Sequence, residues 1–286
     1  MFKQLLCNPD ILELIDIAIR EDIGDGDHTS LACIDKEIIK EAYCIAKQDG
    51  VIAGIELASF IFNKIDTKLI FNPHLTDGDS IKSGDIIFHV KGSPQSILTA
   101  ERLVLNFMQR LSGIATQSKE ISTLLAPYHT KVLDTRKTTP GLRLLEKYAV
   151  KLGGSENHRI GLYDMIMIKD NHIDFAGGIS EAISRTKAYL TKNNLDLKIE
   201  IETRSIDEVK QVLAIGGIHR IMLDNFVPEM IAEAVKLIDG KYETEASGGI
   251  TRETITQFAQ AGVDYISVGA LTHSSKSIDL SLRVSM

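Results

Sequence analysis

Hydrophobic residues follow two different spacings in the first 124 positions. Apolar positions share one face of a predicted helix over Asn8–Glu21, which the glycine and aspartate residues at 24–27 end. From 41 to 92 the pattern changes to short β-like runs separated by glycine and aspartate turns. These runs are Ala42–Ala46, Val51–Ile55, Leu69–Phe71 and Ile86–Val90. Helical spacing returns over 99–124 and ends this β-rich part.

After Pro127 the chain alternates between short apolar runs that end in polar or glycine residues and helix-like segments of roughly 10 to 15 residues. The runs are Val132–Leu133, Met165–Ile168, Ile199–Glu202, Ile221–Leu223, Tyr242–Ala246 and Tyr265–Val268. In a (β/α) barrel the carboxyl ends of the strands converge on the active site. Six runs are too few for a complete eight-stranded barrel.

Composition narrows the class of protein. With 44% hydrophobic and 25% charged residues, the chain of 286 residues is a folded globule of one large or two smaller domains. A net charge of −7 argues against nucleic acid as a partner. The three cysteines have neither zinc-site nor disulfide-framework spacing, and no segment resembles a signal peptide or a membrane span. We therefore expect a cytoplasmic protein.

Positive charge concentrates between 131 and 172 despite the acidic total. Arg136, Lys137 and Lys169 lie at strand ends and Arg159 lies in a turn, whereas Lys147 and Lys151 are predicted to form a solvated helix face. The segment 153–159, with its small residues followed by His158, is either an anion pocket or a helix C-cap with a loop. Arginine in such a pocket favours a di-acid or phosphorylated substrate.

Three acidic residues, Glu200, Glu202 and Asp224, lie at or near strand ends. Glu200 and Glu202 point to the same face of an extended strand, so they either pair with the basic cluster or hold a hard divalent cation such as Mg²⁺. Two glycine-containing turns, at 247–249 and 269–270, resemble the phosphate site that barrels build after their last strands.

Several motifs occur in an order known from one enzyme family. They are TAER at 99–102, QRLSGIAT at 109–116, LDTRKTTPGLR at 133–143, KYAV at 147–150, NHRIGL at 157–162, IKDNH at 168–172, LDN at 223–225, EASGGI at 245–250 and GALTHS at 269–274. Over nearly the whole chain they resemble quinolinate phosphoribosyltransferase, the carboxylating nicotinate-nucleotide pyrophosphorylase of NAD synthesis. Ser155 stands where that family usually has a third glycine.

The resemblance implies an α/β fold with two domains. An N-terminal α/β sandwich would cover 1–112, with the segment 275–286 packing back on it. An incomplete (β/α) barrel of about six to seven strands would cover 113–274. The family resemblance also implies a homodimer or homohexamer with a shared active site, in which Arg102 enters the neighbouring subunit's site.

The implied reaction joins quinolinate to 5-phosphoribosyl pyrophosphate and gives nicotinate mononucleotide, pyrophosphate and CO2. Lys137, Glu202 and Asp224 are the implied catalytic residues, and Glu202 and Asp224 are also the implied Mg²⁺ ligands. The residues implied to bind substrate are Arg102, Thr135, Arg136, His158, Arg159, Lys169, Ser247, Gly248, Gly249, Gly269, Ala270 and His273.

Two other functions fit parts of this pattern. A paralogue associated with molybdenum transport resembles the family in fold and in several motifs, but the full set of basic residues favours quinolinate. A non-catalytic protein that binds a phosphorylated ligand is the second alternative, and the intact Lys137, Glu202 and Asp224 argue against it. The sequence leaves open the choice between dimer and hexamer and the number of magnesium ions.

Overall fold

The computed structural model describes residues 5–285, which fold into two compact units. The first unit contains the chain up to residue 120, residues 138–154 and the chain from 271 onward. The second unit contains residues 121–137 and 155–270. Residues 1–4 and 286 of the predicted first domain lie outside the described residues.

The helices and strands follow one another along the chain in a β-rich first part and a strand–helix alternation after it. In chain order they are α1 (Pro9–Ile23), α2 (His28–Cys33), β1 (Lys40–Ala46), β2 (Gly50–Val51), α3 (Ile55–Ile65), β3 (Ile70–Pro73), β4 (Ser80–Ile81), β5 (Ile86–Gly92), α4 (Pro94–Leu125), β6 (Lys131–Leu133), α5 (Arg143–Leu152), β7 (Ile166–Ile168), α6 (Asp170–Ala176), α7 (Ile179–Asn193), β8 (Ile199–Thr203), α8 (Ile206–Ile215), β9 (Arg220–Asp224), α9 (Pro228–Ile238), β10 (Glu243–Ser247), α10 (Ile255–Gln260), β11 (Tyr265–Ser267), α11 (Ala270–His273) and β12 (Leu280–Val284). The predicted helices over 8–21 and 99–124 correspond to α1 and α4.

The first unit contains a four-stranded antiparallel sheet in the order β12-β1-β5-β3 and a separate pair of strands, β2 and β4. The last strand, β12, returns to pair with β1. The rings of Phe62, Phe71 and Phe88 pack together with centroids 4.7 to 5.9 Å apart, and Phe62 and Phe88 are buried. These rings join α3 to the sheet in one apolar core.

One predicted strand is mostly a connection between a strand and a helix. The sequence predicts a strand over Val51–Ile55, whereas β2 ends at Val51 and α3 begins at Ile55. Gly54 is the N-cap residue of α3 at φ +93°, a conformation that residues with a Cβ rarely adopt. The Asp77 carboxylate accepts a hydrogen bond from the Ile55 N–H at 2.7 Å and so caps the helix from 22 residues away. A cap so distant in sequence leaves no local signal.

The second unit contains a six-stranded parallel sheet in the order β6-β11-β10-β9-β8-β7. Each predicted run from Val132 to Val268 is a strand, with bounds within one residue of the prediction. Within the described residues β6 and β7 are the two edges of the sheet, so the barrel is open between them. The segment after α5 lies against β6 at this opening, through a parallel bridge between Leu133 and Glu156.

The two compact units do not coincide with the domains predicted from the sequence, whose boundary lies at residue 112. Residues 113–120, 138–154 and 271–274 associate with the first unit, although the predicted barrel included them. The reason is the close packing of α5 on α4: the Ser118 hydroxyl donates to the Val150 carbonyl at 2.6 Å. A Cβ on Gly153 would overlap the main chain of α4, so only glycine allows this approach.

The same packing overturns one prediction about α5. Lys147 and Lys151 were expected to form a solvated face, but Lys147 is only 1% exposed, whereas Lys151 is exposed. Glu146 is also buried, and its carboxylate accepts hydrogen bonds from the Arg110 guanidinium and from the Thr139 N–H. The helix therefore buries polar side chains together with its apolar face.

Among the described helices, none combines the length and the hydrophobicity needed to cross a membrane. Cys7, Cys33 and Cys44 are free thiols, and Cys44 is buried. Its burial raises the pKa of the Cys44 thiol to about 12, so this cysteine stays protonated at neutral pH.

Candidate active site

The carboxyl ends of the six parallel strands carry most of the predicted site residues. In sheet order, Thr135, Arg136 and Lys137 follow β6, Gly269 and Ala270 follow β11, Ser247 ends β10 and precedes Gly248 and Gly249, Asp224 ends β9, Glu202 lies in β8 and Lys169 follows β7. The register pairs Asp224 with Ser247 across β9 and β10. Because parallel strands end at the same edge of a sheet, these side chains share one face of the second unit.

Two carboxylates and a lysine form the acidic side of this face. Lys169 Nζ lies 3.4 Å from Glu202 Oε2, and the Glu202 side chain is only 9% exposed. Burial raises the pKa of Glu202, the attraction of Lys169 opposes that rise, and the negative charge of Asp224 adds to it. Asp224 Oδ2 accepts a hydrogen bond from the Asn225 side chain at 2.6 Å. The acidic groups are therefore close enough to influence one another, as a shared ligand site requires.

Two arginines, Arg136 after β6 and Arg159 in the turn before β7, lie near each other in the second unit. Burial lowers the pKa of Arg159, and the neighbouring charge of Arg136 lowers it further. The Arg159 guanidinium donates to the Met165 carbonyl at 3.1 Å, just before β7 begins. It lines a cavity with Lys198 and Arg220, so it lies toward the amino ends of β7, β8 and β9. Two partly buried guanidinium groups that repel each other favour an anion between them, so this part of the site fits a carboxylate or phosphate ligand.

A buried aspartate holds the turn that carries Arg159. Asp134, fully buried, accepts hydrogen bonds from the His158 N–H at 2.9 Å and from the Asn157 side chain at 2.5 Å. Just beyond Asp134, the hydroxyl of Thr135 accepts from the Lys137 N–H at 3.0 Å, and the Lys137 side chain is exposed. The residues after β6 and the His158–Arg159 turn are thus fixed to each other through Asp134.

Glycines shape the end of β10. Gly248 has φ +96° and Gly249 has φ +62°, both in the left-handed region. A Cβ on Gly248 would overlap the Asn225 side chain and come within 3.0 Å of its main-chain nitrogen, whereas a Cβ on Gly249 would meet no atom within 4 Å. The Asn225 N–H donates to the Ser247 carbonyl at 2.8 Å. This tight turn leaves room for a ligand at the backbone of Gly249.

Two predicted site residues belong to the first unit. Arg102 is an exposed residue of α4, in the part that associates with that unit. His273 ends α11, and its Nδ1 lies 2.6 Å from the Ser274 hydroxyl. Their part in the site stays a prediction.

A buried charged cluster lies among the strands of the second unit. His158 Nε2 lies 3.0 Å from Glu200 Oε2 and 3.4 Å from Glu245 Oε2. Arg220 NH1 lies 2.9 Å from Glu245 Oε2, and the guanidinium stacks on the Tyr265 ring at 4.1 Å. We call His158, Glu200, Arg220 and Glu245 the floor cluster. Their carboxylate and imidazole atoms are close enough together to hold a metal ion, but Arg220 already supplies a positive charge.

Charge in the floor cluster is unevenly distributed. Burial raises the pKa of Glu200, with a further rise from Glu245. Burial also opposes the ionisation of Glu245, but His158 and Arg220 outweigh it and lower its pKa. Burial alone would lower the pKa of His158, and the two carboxylates raise it to about 9. Glu245 is therefore the ionised carboxylate of the pair.

Sequence reasoning identified Glu200 and left open whether it pairs or binds metal, and it missed Glu245 and Arg220. A signal was available: Arg220 opens β9, and the register sets it beside Glu200 on one side and Glu243 on the other. Residues in one row of a sheet point to the same face, so the row predicts an internal ion pair once the strand order is known. The strand order itself is not a local property of the sequence.

Comparison with known proteins gives the family. Two family models match this chain. The model described as "Quinolinate phosphoribosyl transferase, N-terminal domain" matches residues 27–112, and the model described as "Quinolinate phosphoribosyl transferase, C-terminal domain" matches residues 114–283. The chain belongs to the quinolinate phosphoribosyltransferase family. Ser155, the departure from the family pattern, is buried, and its hydroxyl lies 2.9 Å from the Ser122 hydroxyl.

Individual members of the family are similar over nearly their whole length. The protein named quinolinate phosphoribosyltransferase [decarboxylating] 2, mitochondrial, of Nicotiana glauca is 46% identical over 290 residues, covering 96% of this chain and 82% of its own. The probable nicotinate-nucleotide pyrophosphorylase [carboxylating] of Bacillus subtilis is 43% identical, covering 96% and 93%. The solved structure of the nicotinate-nucleotide pyrophosphorylase from Francisella tularensis is 41% identical with a TM-score of 0.92, covering 97% and 98%.

Proposed function

We propose that this chain transfers the 5-phosphoribosyl group from 5-phosphoribosyl pyrophosphate to quinolinate in the de novo synthesis of NAD. The products are nicotinate mononucleotide, pyrophosphate and CO2. The observation that carries the proposal is that the family matches together cover 27–112 and 114–283. The matched C-terminal part also contains two neighbouring arginines and, at its strand ends, a carboxylate pair. The proposal is tested by measuring whether the protein turns over quinolinate but not nicotinate.

Quinolinate is a dianion, and the basic residues of the second unit suit it. The planar guanidinium groups of Arg136 and Arg159 bind its carboxylates. Lys169 supplies a third positive charge when its side chain turns from Glu202 to the ligand. Lys137, exposed on the loop after β6, orients quinolinate and stabilises the departing pyrophosphate. Arg102 is supplied by the neighbouring subunit.

The acidic and glycine-rich sides suit the phosphoribosyl donor. Displacement at the anomeric carbon passes through a state with oxocarbenium character, and Glu202 and Asp224 stabilise the positive charge that develops there. The 5′-phosphate is held by main-chain N–H groups and short side chains, which need no added positive charge. The residues assigned to it are Ser247, Gly248, Gly249, Gly269 and Ala270.

Atoms balance without a separate decarboxylating residue. The ring nitrogen of quinolinate forms the new bond to the anomeric carbon while the bond from that carbon to pyrophosphate breaks, and the bonding pair leaves with pyrophosphate. The carboxyl group beside the quaternised nitrogen then departs as CO2, and the ring carbon keeps the pair and takes a proton from water. The positive ring supports that pair, so the chain only has to hold the ring in place.

Magnesium is proposed as the metal. Glu202 and Asp224 offer the carboxylate oxygens that Mg²⁺ prefers, and their charges already influence each other. Lys169 lies 3.4 Å from Glu202 and would compete with the ion for that carboxylate. A bound Mg²⁺ would neutralise the pyrophosphate oxygens and help them to leave.

Oligomers with a shared site and a cytoplasmic location complete the proposal. Leu162, Tyr163 and Phe175 are 71%, 71% and 90% exposed, and exposed apolar side chains of this size favour a surface covered by another subunit. The choice between homodimer and homohexamer stays open.

Some relatives are named as mitochondrial or chloroplastic proteins, so the cytoplasmic location rests on the sequence pattern of this chain alone.

The glycine turn after β10 gives a first prediction. In the Gly248→Ala variant the new methyl group displaces Asn225, and we expect the KM for 5-phosphoribosyl pyrophosphate to rise about tenfold or more. Steady-state kinetics in both substrates measures this. Gly240→Ala is the matched control, because Gly240 has φ +68° and open space around its Cβ position. An equal rise in both variants would contradict a phosphate site at this turn.

A further inference from the structure

The floor cluster lies behind the turn that carries Arg159. Glu200 and Glu245 are fully buried, and the Arg220 side chain is 13% exposed. Arg220 connects them: its NH1 lies 2.9 Å from Glu245 and 3.9 Å from Glu200. On its outer side the same guanidinium pairs with Glu243 at 2.9 Å. Three strands thus contribute to one charged cluster inside the second unit.

His158 connects this cluster to the turn. Its Nε2 faces Glu200 and Glu245, and its Nδ1 accepts a hydrogen bond from the Arg159 N–H at 2.7 Å. Because the partner of Nδ1 is a donor, we assign the ring proton to Nε2. The carboxylates raise the pKa of His158 to about 9 and so favour a second ring proton, but that proton would lie on Nδ1 and replace the hydrogen bond from the Arg159 N–H. We therefore expect the ring to keep this hydrogen bond and a single proton. These contacts fit an imidazole ring whose Nε2 carries the proton and lies near the two carboxylates, and whose Nδ1 accepts from the Arg159 N–H.

The turn needs such support because it lies at the opening of the barrel. Along β6 it is held by the bridge from Leu133 to Glu156 and by the hydrogen bond from its His158 N–H to Asp134. On the side away from β6 no strand pairs with it among the described residues, since β7 bonds to β8. Side-chain contacts from β8 and β10, through His158, supply the second attachment.

Stability alone does not explain these buried charges. A buried ion pair gains little over well-packed apolar side chains of the same volume, since desolvation offsets the attraction. A charged cluster does impose one geometry, because each group must meet its partner. The structure combines such a cluster with a turn whose arginine must be aimed at a substrate.

We propose that Glu200, Arg220 and Glu245 are positioning residues that fix the His158–Arg159 turn, and that His158 acts in substrate recognition through this turn. This inference rests on the proposed function, because it takes quinolinate as the ligand of Arg159. It assigns His158 a different role from the direct carboxylate contact that the family resemblance implies. Loosening the floor cluster should impair quinolinate binding and leave the phosphoribosyl donor site as it is.

The test compares Glu245→Gln with Glu243→Gln. Both variants remove one carboxylate from β10 and both leave Arg220 with one fewer ionised partner, but Glu243 is 37% exposed and meets Arg220 rather than His158. For Glu245→Gln we expect the KM for quinolinate to rise between about tenfold and a hundredfold, with the KM for 5-phosphoribosyl pyrophosphate within about twofold. Glu243→Gln should match the parent chain in both KM values. Glu200→Gln should have a smaller effect than Glu245→Gln, because burial raises the pKa of Glu200 and a glutamine resembles a protonated carboxyl group.

A spectroscopic measurement on the unmodified protein keeps the proposal open to refutation if the variants fold poorly. Nitrogen-15 NMR of the histidine side chains should show His158 with a protonated Nε2 and an unprotonated Nδ1. A proton on Nδ1, or a parent-like quinolinate KM in Glu245→Gln, would overturn the positioning role. If instead the unmodified enzyme fails to turn over quinolinate, the proposed function fails, and the NMR result still reports on the floor cluster.

Discussion

The Lys137→Ala variant is expected to fold like the parent chain and to lose turnover by about a hundredfold to a thousandfold. The Lys137 side chain is exposed, so its removal creates no cavity, and the main-chain bond from its N–H to the Thr135 hydroxyl does not need the side chain. The loss follows from the charge that develops on pyrophosphate as its bond to the anomeric carbon breaks. Initial rates with both substrates saturating measure the effect on kcat.

Lys151→Ala is the matched control for this variant, since Lys151 is an exposed lysine on α5 and no role in the site is assigned to it. Thermal unfolding of the three proteins shows whether the fold is kept. A Lys137→Ala variant with parent-like kcat would remove Lys137 from the catalytic residues. A large fall in kcat for Lys151→Ala as well would mean that general positive charge, rather than the loop after β6, carries the effect.

Inactive Arg102→Ala and Lys137→Ala subunits are expected to regain activity when they are mixed. If Arg102 enters the neighbouring subunit's site, each hybrid dimer contains one site with both residues intact and one site with neither. Random exchange makes about half of the dimers hybrid, so about a quarter of the parent activity should return. Activity is measured before and after subunit exchange, with each variant alone as the reference.

Proof of exchange decides how the mixing experiment is interpreted. Subunits of different mass, detected as a hybrid species by native mass spectrometry, show that exchange has occurred. Hybrids without activity would contradict the shared site and return Arg102 to an ordinary polar position on α4. Recovery without hybrids would point to incomplete inactivation of one variant. A control mixture of Lys137→Ala with Glu202→Gln should gain nothing, because those two residues lie in the same unit of one chain.

Strand positions could be predicted from the sequence because they depend on local patterns. Each parallel strand, such as Ile199–Thr203, is a short apolar run that ends in polar residues. That pattern lies within one segment of the sequence and can be recognised without the fold. The position of Glu202 and Asp224 at strand ends follows directly from it. The family motifs added the roles of these residues, which spacing alone does not supply.

Other features depend on partners that are distant in the sequence. The start of α3 depends on Asp77, which caps Ile55 from another part of the unit. Lys147 is buried although the spacing of its own helix predicts a solvated side chain. The contact between His158 and Glu245 joins residues 87 positions apart in chain order, and it exists only because the strand order sets their segments together. No pattern within one segment carries such information.

The central claim is tested most directly by the choice between two pyridine substrates. Purified protein is incubated with Mg²⁺, 5-phosphoribosyl pyrophosphate and either quinolinate or nicotinate, and nicotinate mononucleotide is followed by chromatography. We predict product from quinolinate alone, because the proposed role of Arg136, Arg159 and Lys169 is to bind two carboxylates and the reaction removes one of them. No product from either substrate in folded protein would contradict the proposed function and favour the paralogue or a binding protein.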